Sequence, residues 1–450
     1  MTTDLTTGKV SRVILTFSLP LLLSTVLQQF YNVADSIIVG QFTGAGGLAA
    51  IGAAYPITLF FIAIATGASM GCSVIISQIF GAKRLGDMKQ AVTTSLVSFI
   101  ALGIVLAVGG ALLAGPLMHL LNAQNDIFAD ARAYLLIYAI GAFPMLIYNA
   151  TTGIFTGLGD SKLPLLLLLI SSVLNVILDY IAVRFLAWGV IGAAWATTFS
   201  QFVAAVLSVV ILSGRLRRIC PAESKAGFSK PILSDITKAA VPCILQQSCV
   251  AITHTIVQSI LNTYDTAIIA GYEAASKLHN FAYMGMNTIG SAFATFTAQC
   301  YGAKKHARIK EGFKVTVITL AIITACIILL FQVLPQQLIG IFIDGDAAPL
   351  VIESGTNYLR IISPVYSIIL FIIATGGLLR GVGNSLAFFI ETIIEFLVRV
   401  TMCFVLTKVL ASYTGLMWAW YFGSTVGFLM CLGLTIRTFK KKLSSEKLEA

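Results

Sequence analysis

The chain has 450 residues, of which 58% are hydrophobic and 11% charged, with a formal net charge of +10. Soluble domains carry about 25% charged residues, so this composition excludes a soluble globular protein. No segment alternates apolar and polar residues with period 2, which excludes a β-barrel and leaves an all-helical membrane protein.

Twelve apolar stretches are long enough to cross about 30 Å of hydrocarbon, at roughly 13–36, 48–78, 90–114, 132–156, 163–184, 189–213, 238–262, 268–300, 314–334, 356–379, 385–407 and 413–436. The leading MTTDLTTGKVSR lacks an apolar signal core and a cleavage site, so no removable signal is expected. Lys and Arg number 23 on the side that holds both termini. The opposite side has 4 (Arg132, Arg184, Arg360, Lys408), and Lys277 and Arg399 lie inside spans. The basic excess is therefore a positive-inside signal that puts both termini in the cytoplasm, and no nucleic-acid partner is implied.

The chain repeats itself. SQIFGAKR (Ser77–Arg84) returns as AQCYGAKK (Ala298–Lys305), its Gly-Ala-Lys triplets 221 positions apart. FTGLGDS (Phe155–Ser161) returns as LRGVGNS (Leu379–Ser385) after 224, and Pro20 as Pro242 after 222. The expected organisation is a six-helix lobe over 1–213, a cytoplasmic linker over 214–230 and a second six-helix lobe over 231–450. Six spans is an even number, so the lobes enter with the same orientation and are related by a pseudo-two-fold axis along the membrane normal. Pairs of small residues at i,i+4 suit close helix packing in lipid: Gly67/Gly71, Gly153/Gly157, Gly377/Gly381 and Gly423/Gly427. Pro20, Pro144, Pro242 and Pro364 lie within spans, and each frees a backbone carbonyl. The eight cysteines make no metal or CxxC spacing and read as packing residues.

Charge at membrane depth costs about 3 kcal/mol per residue, so each buried acid needs a reason. In the first half Tyr31/Asp35 and Asn175/Asp179 are i,i+4 pairs, with Thr197 on the next span. Neither Asp has a cation one turn away, and an unpaired buried carboxylate is relieved of its desolvation by taking a proton, as a proton-coupling site requires. The plainer alternatives are a protonated Asp bridging two helices, or Asp35 in water at the outer interface. In the second half Glu273/Lys277 and Glu395/Arg399 are i,i+4 and read as ion pairs, with Glu391 beside the latter. His254, among Thr and Gln, is either a proton relay or a hydrogen-bonded packing residue.

Together these features resemble the MATE (multidrug and toxic compound extrusion) family across the whole chain, through SLPLLLSTVLQQFYNVADSIIVG, GAKR after span 2, and Asn175-x3-Asp179 with Asp35 fifteen residues after Pro20. The pattern is similar to the branch of the bacterial DNA-damage-inducible member and the archaeal proton-coupled members. That likeness implies ion coupling at Tyr31, Asp35, Asn175, Asp179 and Thr197, with Pro20 as hinge. The sodium-coupled branch also has acids in spans 7 and 10, and this chain has none there. The implied activity is export of organic cations in exchange for H+, or alternatively Na+, by rocking of the two lobes, with no other cofactor. The substrate cavity is expected to include Gln28, Phe30, Asn32, Tyr148, His254, Glu273, Lys277, Tyr283, Met284 and Met286. Aromatic and Met side chains suit flat apolar cations, and ordinary helix packing is an equal reading for each of them. The expected partners are small organic substrates and membrane lipids, and the chain is expected to act as a monomer in the cell membrane. A flippase for a lipid-linked or amphiphilic metabolite is the runner-up, set back because only Lys277 and Arg399 could meet a pyrophosphate within the spans. No HExxH or Walker sequence is present, and GASMG (Gly67–Gly71) lies inside an apolar span and not on a strand-to-helix turn, so no catalytic set supports an enzyme.

Overall fold

The computed structural model describes all residues except 1–2, 122, 221–226, 343–348 and 444–450. Part of the linker, and Lys225, Asp344, Asp346 and Lys447 of the charge pattern, lie outside the described residues. Among the described residues there are helices and no strand. They are α1 Val10–Gly44, α2 Gly46–Gly81, α3 Leu85–Leu120, α4 Phe128–Gly157, α5 Lys162–Phe185, α6 Gly189–Ile219 and α7 Lys230–Leu261. There follow α8 Thr266–Gly302, α9 His306–Val333, the short α10 Pro335–Gly340, α11 Pro349–Gly381, α12 Ser385–Val409 and α13 Gly415–Lys441.

All twelve expected spans coincide with long helices, which run on past the apolar stretches into their polar ends. Ten are apolar enough to cross a membrane. The other two long helices, α8 and α12, carry Glu273/Lys277 and Glu391/Glu395/Arg399. The break between α1 and α2 is at Gly44, whose φ of 70° and ψ of −170° is a conformation open to glycine.

The chain divides into two compact units. One holds Thr16–Ser248 with the leading residues to Leu5, and the other holds Thr6–Leu15 and the chain from Cys249 onward. The core of the first unit joins α2, α3 and α4 through Ile76, Met88, Phe99, Leu135, Ile154 and Phe155. Two glycine pairs set its closest crossings. A Cβ on Gly153 would lie 2.7 Å from the Ser69 carbonyl oxygen, and Ser69 donates its hydroxyl to the Asn149 carbonyl at 2.7 Å. A Cβ on Gly71 would lie 2.3 Å from Ala240 Cα, and one on Gly67 2.5 Å from Ile244 Cα. The N-terminal half of α7 therefore packs with the first unit. In the second unit Gly377 and Gly381 meet α8 at Gly290 and Thr297, and Gly423 and Gly427 meet α12 at Arg399 and Glu391. All four small-residue pairs thus sit at helix crossings.

The repeat is visible in the backbone. Lys83 and Lys304 both take left-handed φ, 55° and 57°. Around them Arg84 N donates to Ile79 O at 3.1 Å and Lys305 N to Cys300 O at 2.9 Å, the same helix-ending turn. Gly159 and Gly383 match at φ 77° and 73°, and Ala187 and Ala411 at 52° and 47°. At Pro364 the chain narrows to a 3-10 turn over Ser363–Val365, and the carbonyl freed at Arg360 accepts from Gln332 Nε2 at 2.9 Å.

Candidate functional site

In the first unit, α1, α5 and α6 converge through Val39, Val183 and Ala193, all buried. Behind that contact lies a polar cluster. Asn175 is 1% exposed and Asp179 0% exposed, while Asp35 and Tyr31 are half-buried. Asn175 Nδ2 donates to Thr197 Oγ1 at 3.2 Å, and the Tyr31 hydroxyl lies against the same threonine. The Asp35 and Asp179 carboxyls face each other within hydrogen-bonding reach, and Asn175 borders Asp179. Asp35 Oδ1 and both Asp179 oxygens are buried without a well-formed donor among the described residues, and neither Asp is in an ion pair. Like charges this close in a buried site disfavour full ionisation of both, an arrangement chemically able to hold a proton or a cation. No cluster of three metal-ligating residues occurs among the described residues.

Two features of this cluster were not singled out from the sequence. On α4, Tyr134 neighbours both acids and Tyr31, and Tyr138, its ring centroid 6.1 Å from that of Tyr134, neighbours Tyr31. Their i,i+4 spacing is the same signal that marked Tyr31/Asp35. Directly after Asp179, α5 widens into a π-helical turn over Tyr180–Phe185, a feature that gathers at functional sites. Tyr180 and Phe42 pack edge to face at 5.9 Å, and the Arg184 guanidinium lies 5.4 Å from the Phe42 ring centroid, so its charge goes to an aromatic ring of α1.

Of the other α1 residues expected at the cavity, Phe30 (68% exposed) and Asn32 are exposed and Gln28 is half-buried. Tyr148 on α4 is half-buried against the first unit's core.

In the second unit the expected residues divide. No ion pair joins Glu273 to Lys277: Glu273 is half-buried, and the exposed Lys277 points its ammonium at the Phe342 ring, 5.8 Å from the centroid. This corrects the expected pairing. The long, strongly hydrated lysine stem reaches an aromatic face instead of folding back one turn. Glu395 and Arg399 do form their ion pair, and the Arg399 guanidinium also stacks 3.9 Å from the Trp420 ring centroid. Tyr283 stacks on His279 at 6.0 Å, Met284 is half-buried, Met286 is fully buried in packing, and His254 is exposed. His279 was not singled out, yet it is 2% exposed and shares a 2.9 Å hydrogen bond between Nδ1 and the Tyr366 hydroxyl, with Trp420 4.9 Å away.

Comparison with known proteins follows this geometry. The MatE family model matches residues 20–181 and 242–405, one match in each half of the repeat. The chain is 28% identical over 336 residues to a probable multidrug resistance protein, YoeA, of Bacillus subtilis, covering 73% of this chain and 72% of that one. It is 24% identical over 436 residues to the multidrug export protein MepA of Staphylococcus saprophyticus, covering 96% and 95%. A FAD transporter of Shewanella oneidensis is 23% identical over 366 residues, covering 80% of this chain and 80% of the relative. Among solved structures, a MATE protein in complex with MaL6 superposes with a TM-score of 0.91 at 22% identity, covering 98% of both chains. With the family model matched across both halves, the chain belongs to the MatE family, and it is a multi-pass membrane transporter of small molecules and not an enzyme.

Proposed function

We propose that this chain is a secondary exporter of organic, amphiphilic cations driven by inward proton movement. The observation that carries the reading is the Asp35–Asp179 pair, two carboxyls brought from different helices into one buried site with no cation among the described residues to balance them. Protonation from outside weakens the hold on a cationic substrate and releases it, and deprotonation inside restores a negative site for the next one. In a one-for-one exchange with a monovalent cation the membrane potential cancels, and each unit of pH difference provides about 1.4 kcal/mol, enough for a tenfold substrate gradient. Tyr31, Asn175 and Thr197 orient the carboxyls, and Pro20 is the hinge of α1. There Ser24 Oγ donates to the Pro20 carbonyl at 2.9 Å, a back-bond that favours bending.

Alternating access is by rocking of the halves 1–213 and 231–450 about the linker 214–230, in a monomer of the cell membrane with both termini cytoplasmic. The substrate cavity draws on Gln28, Phe30, Asn32, Tyr148, His254, Glu273, Lys277, Tyr283 and Met284, whereas Met286, expected there, is buried in packing. The multidrug names of the Bacillus and Staphylococcus relatives support the substrate class, and the likeness to the proton-coupled branch supports H+ over Na+. A second reading, export of an amphiphilic metabolite, is favoured by the FAD-transporting relative.

The test is ethidium movement in proteoliposomes under an imposed pH gradient, with and without sodium, for wild type, Asp35→Asn and Asp179→Asn. Proton-driven, sodium-independent movement that both substitutions abolish is expected. Movement that needs sodium overturns the coupling assignment. Folded wild type that leaves ethidium still but moves a flavin nucleotide moves the substrate class to the second reading.

A further inference from the structure

The second unit holds a buried acid that the coupling site above does not use. Glu391 on α12 is 0% exposed, and its Oε1 has no hydrogen-bond partner among the described residues. Its other oxygen makes a long 3.4 Å contact with the hydroxyl of its own neighbour, Thr392. The side chain fits because α13 presents bare glycine to it: a Cβ on Gly427 would lie 2.6 Å from Glu391 Oε1 and 3.5 Å from Glu395 Cδ. Two carboxyl groups therefore flank one glycine, in the interior of a membrane span.

The charged and titratable groups around Glu391 leave it uncompensated. On its own helix the only cation within reach is Arg399. That guanidinium is held by Glu395 on one side and Trp420 on the other. Eight residues of helix, about 12 Å of rise, separate it from Glu391. On α11, Arg380 donates Nε to the Gly376 carbonyl at 3.2 Å and faces the Phe388 ring at 5.6 Å. On α8, Tyr283 lies near both acids beside Asn287, and His279 is tied to Tyr366. On α13, Cys431 touches Glu391. An ionised Glu391 would be a bare charge in this setting.

A metal cation fits poorly. Hard cations take about six oxygen ligands, whereas this pocket is walled by the Ile372 methyl, Gly427 and a thiol. Groups able to exchange a hydrogen bond line up beside the acid instead. Gly427, Cys431 and Thr435 follow one another at i,i+4 on α13, and Thr435 pairs its hydroxyl with that of Thr375 on α11 at 3.0 Å. Cys431 neighbours both Glu391 and Thr375. One turn the other way, Ser424 is fully buried with its hydroxyl unpartnered.

We propose that Glu391 is a second proton-binding site of this chain, which takes up and releases one proton as the α12–α13 crossing at Gly427 closes and opens. The chemistry is only carboxylate plus H+ giving the acid, with no other bond made or broken. The inference does not depend on which ion Asp35 and Asp179 bind.

The test is infrared difference spectroscopy of the full chain in lipid, titrated with acid and base, in an Asp35→Asn/Asp179→Asn background that removes the first-half signals. One buried carboxylic-acid band that titrates is expected, and adding Glu391→Gln should delete it. Gly427→Ala keeps the acid but crowds Oε1, so it should shift the band and its titration midpoint, which also serves if Glu391→Gln fails to fold. In the otherwise wild-type chain, Glu391→Gln should lower the protons moved per substrate by one. A band untouched by both substitutions, or no titrating band at all, overturns the proposal. Failure of the first-half reading would appear separately, as transport that survives Asp35→Asn.

Discussion

In the first half of the chain Asp35 and Asp179 reach one buried site from two helices, and no cation among the described residues answers them. In the second half Glu391, Glu395 and Arg399 lie on a single helix, and the cation answers one acid of the two. The same backbone frame carries both arrangements, as the paired left-handed turns show. The two halves share where the helices end and differ in where their polar groups stand. The turns after spans 4 and 10 show it on a smaller scale. In the first, Asp160 accepts from the backbone of Lys162 and Leu163 and pairs with Arg215 at 2.5 Å. In the second, Asn384 replaces the acid, and Lys442 donates to the Val382 carbonyl at 3.1 Å. Partial burial holds that lysine's ammonium below the usual lysine range.

The sharpest way to break this contrast is at α12. Glu395→Gln leaves Arg399 buried without its counter-charge and should destabilise by about 3–5 kcal/mol. Thermal unfolding in detergent reads this, and Arg399→Met added to Glu395→Gln should recover most of the loss. Next comes Arg215→Ala, which strands the 3%-exposed Asp160 and should cost about 2–3 kcal/mol, below a fully buried pair because Arg215 is 22% exposed. Lys442→Ala, its counterpart, should stay within about 1 kcal/mol because only a neutral carbonyl loses its donor. Gly71→Ala pushes a methyl onto the α7 backbone and should cost about 1–3 kcal/mol in the same assay, whereas Gly86→Ala, which meets open space, should not destabilise. The smallest effect is a gain. Lys83→Gly relieves a left-handed lysine and should stabilise by up to about 1 kcal/mol, and Lys304→Gly should match it if the turns are equivalent.

Much of the frame was legible because apolar length and repeated anchors are direct physical signals: the twelve spans, the Gly-Ala-Lys and Gly-x-Gly turns, and the four glycine crossings. The first-half cluster was legible in part, since i,i+4 spacing puts Tyr31 with Asp35 and Asn175 with Asp179 on single helix faces. The same rule applied to Tyr134 and Tyr138 would have added them. The π turn after Asp179 was not legible, because a widened turn comes from packing around Phe42, Val39 and Ala193 and leaves no local pattern. Spacing also misled at Glu273 and Lys277, where adjacency on a helix allows an ion pair without compelling one. His279 stayed hidden because its partners, Tyr366 and Trp420, come from distant helices.

The acids and arginine of α12 also bear on how the protein is made. Each charge adds about 2.5–3.5 kcal/mol to the insertion of an isolated helix, and α12 carries Glu391, Glu395 and Arg399 within a few turns. During synthesis this segment would pause at the translocon until α13 emerges to accept Glu391 and Arg399 against Gly427 and Gly423. The last two spans would then enter the bilayer as a hairpin, so a truncation before Gly415 should leave α12 outside the membrane.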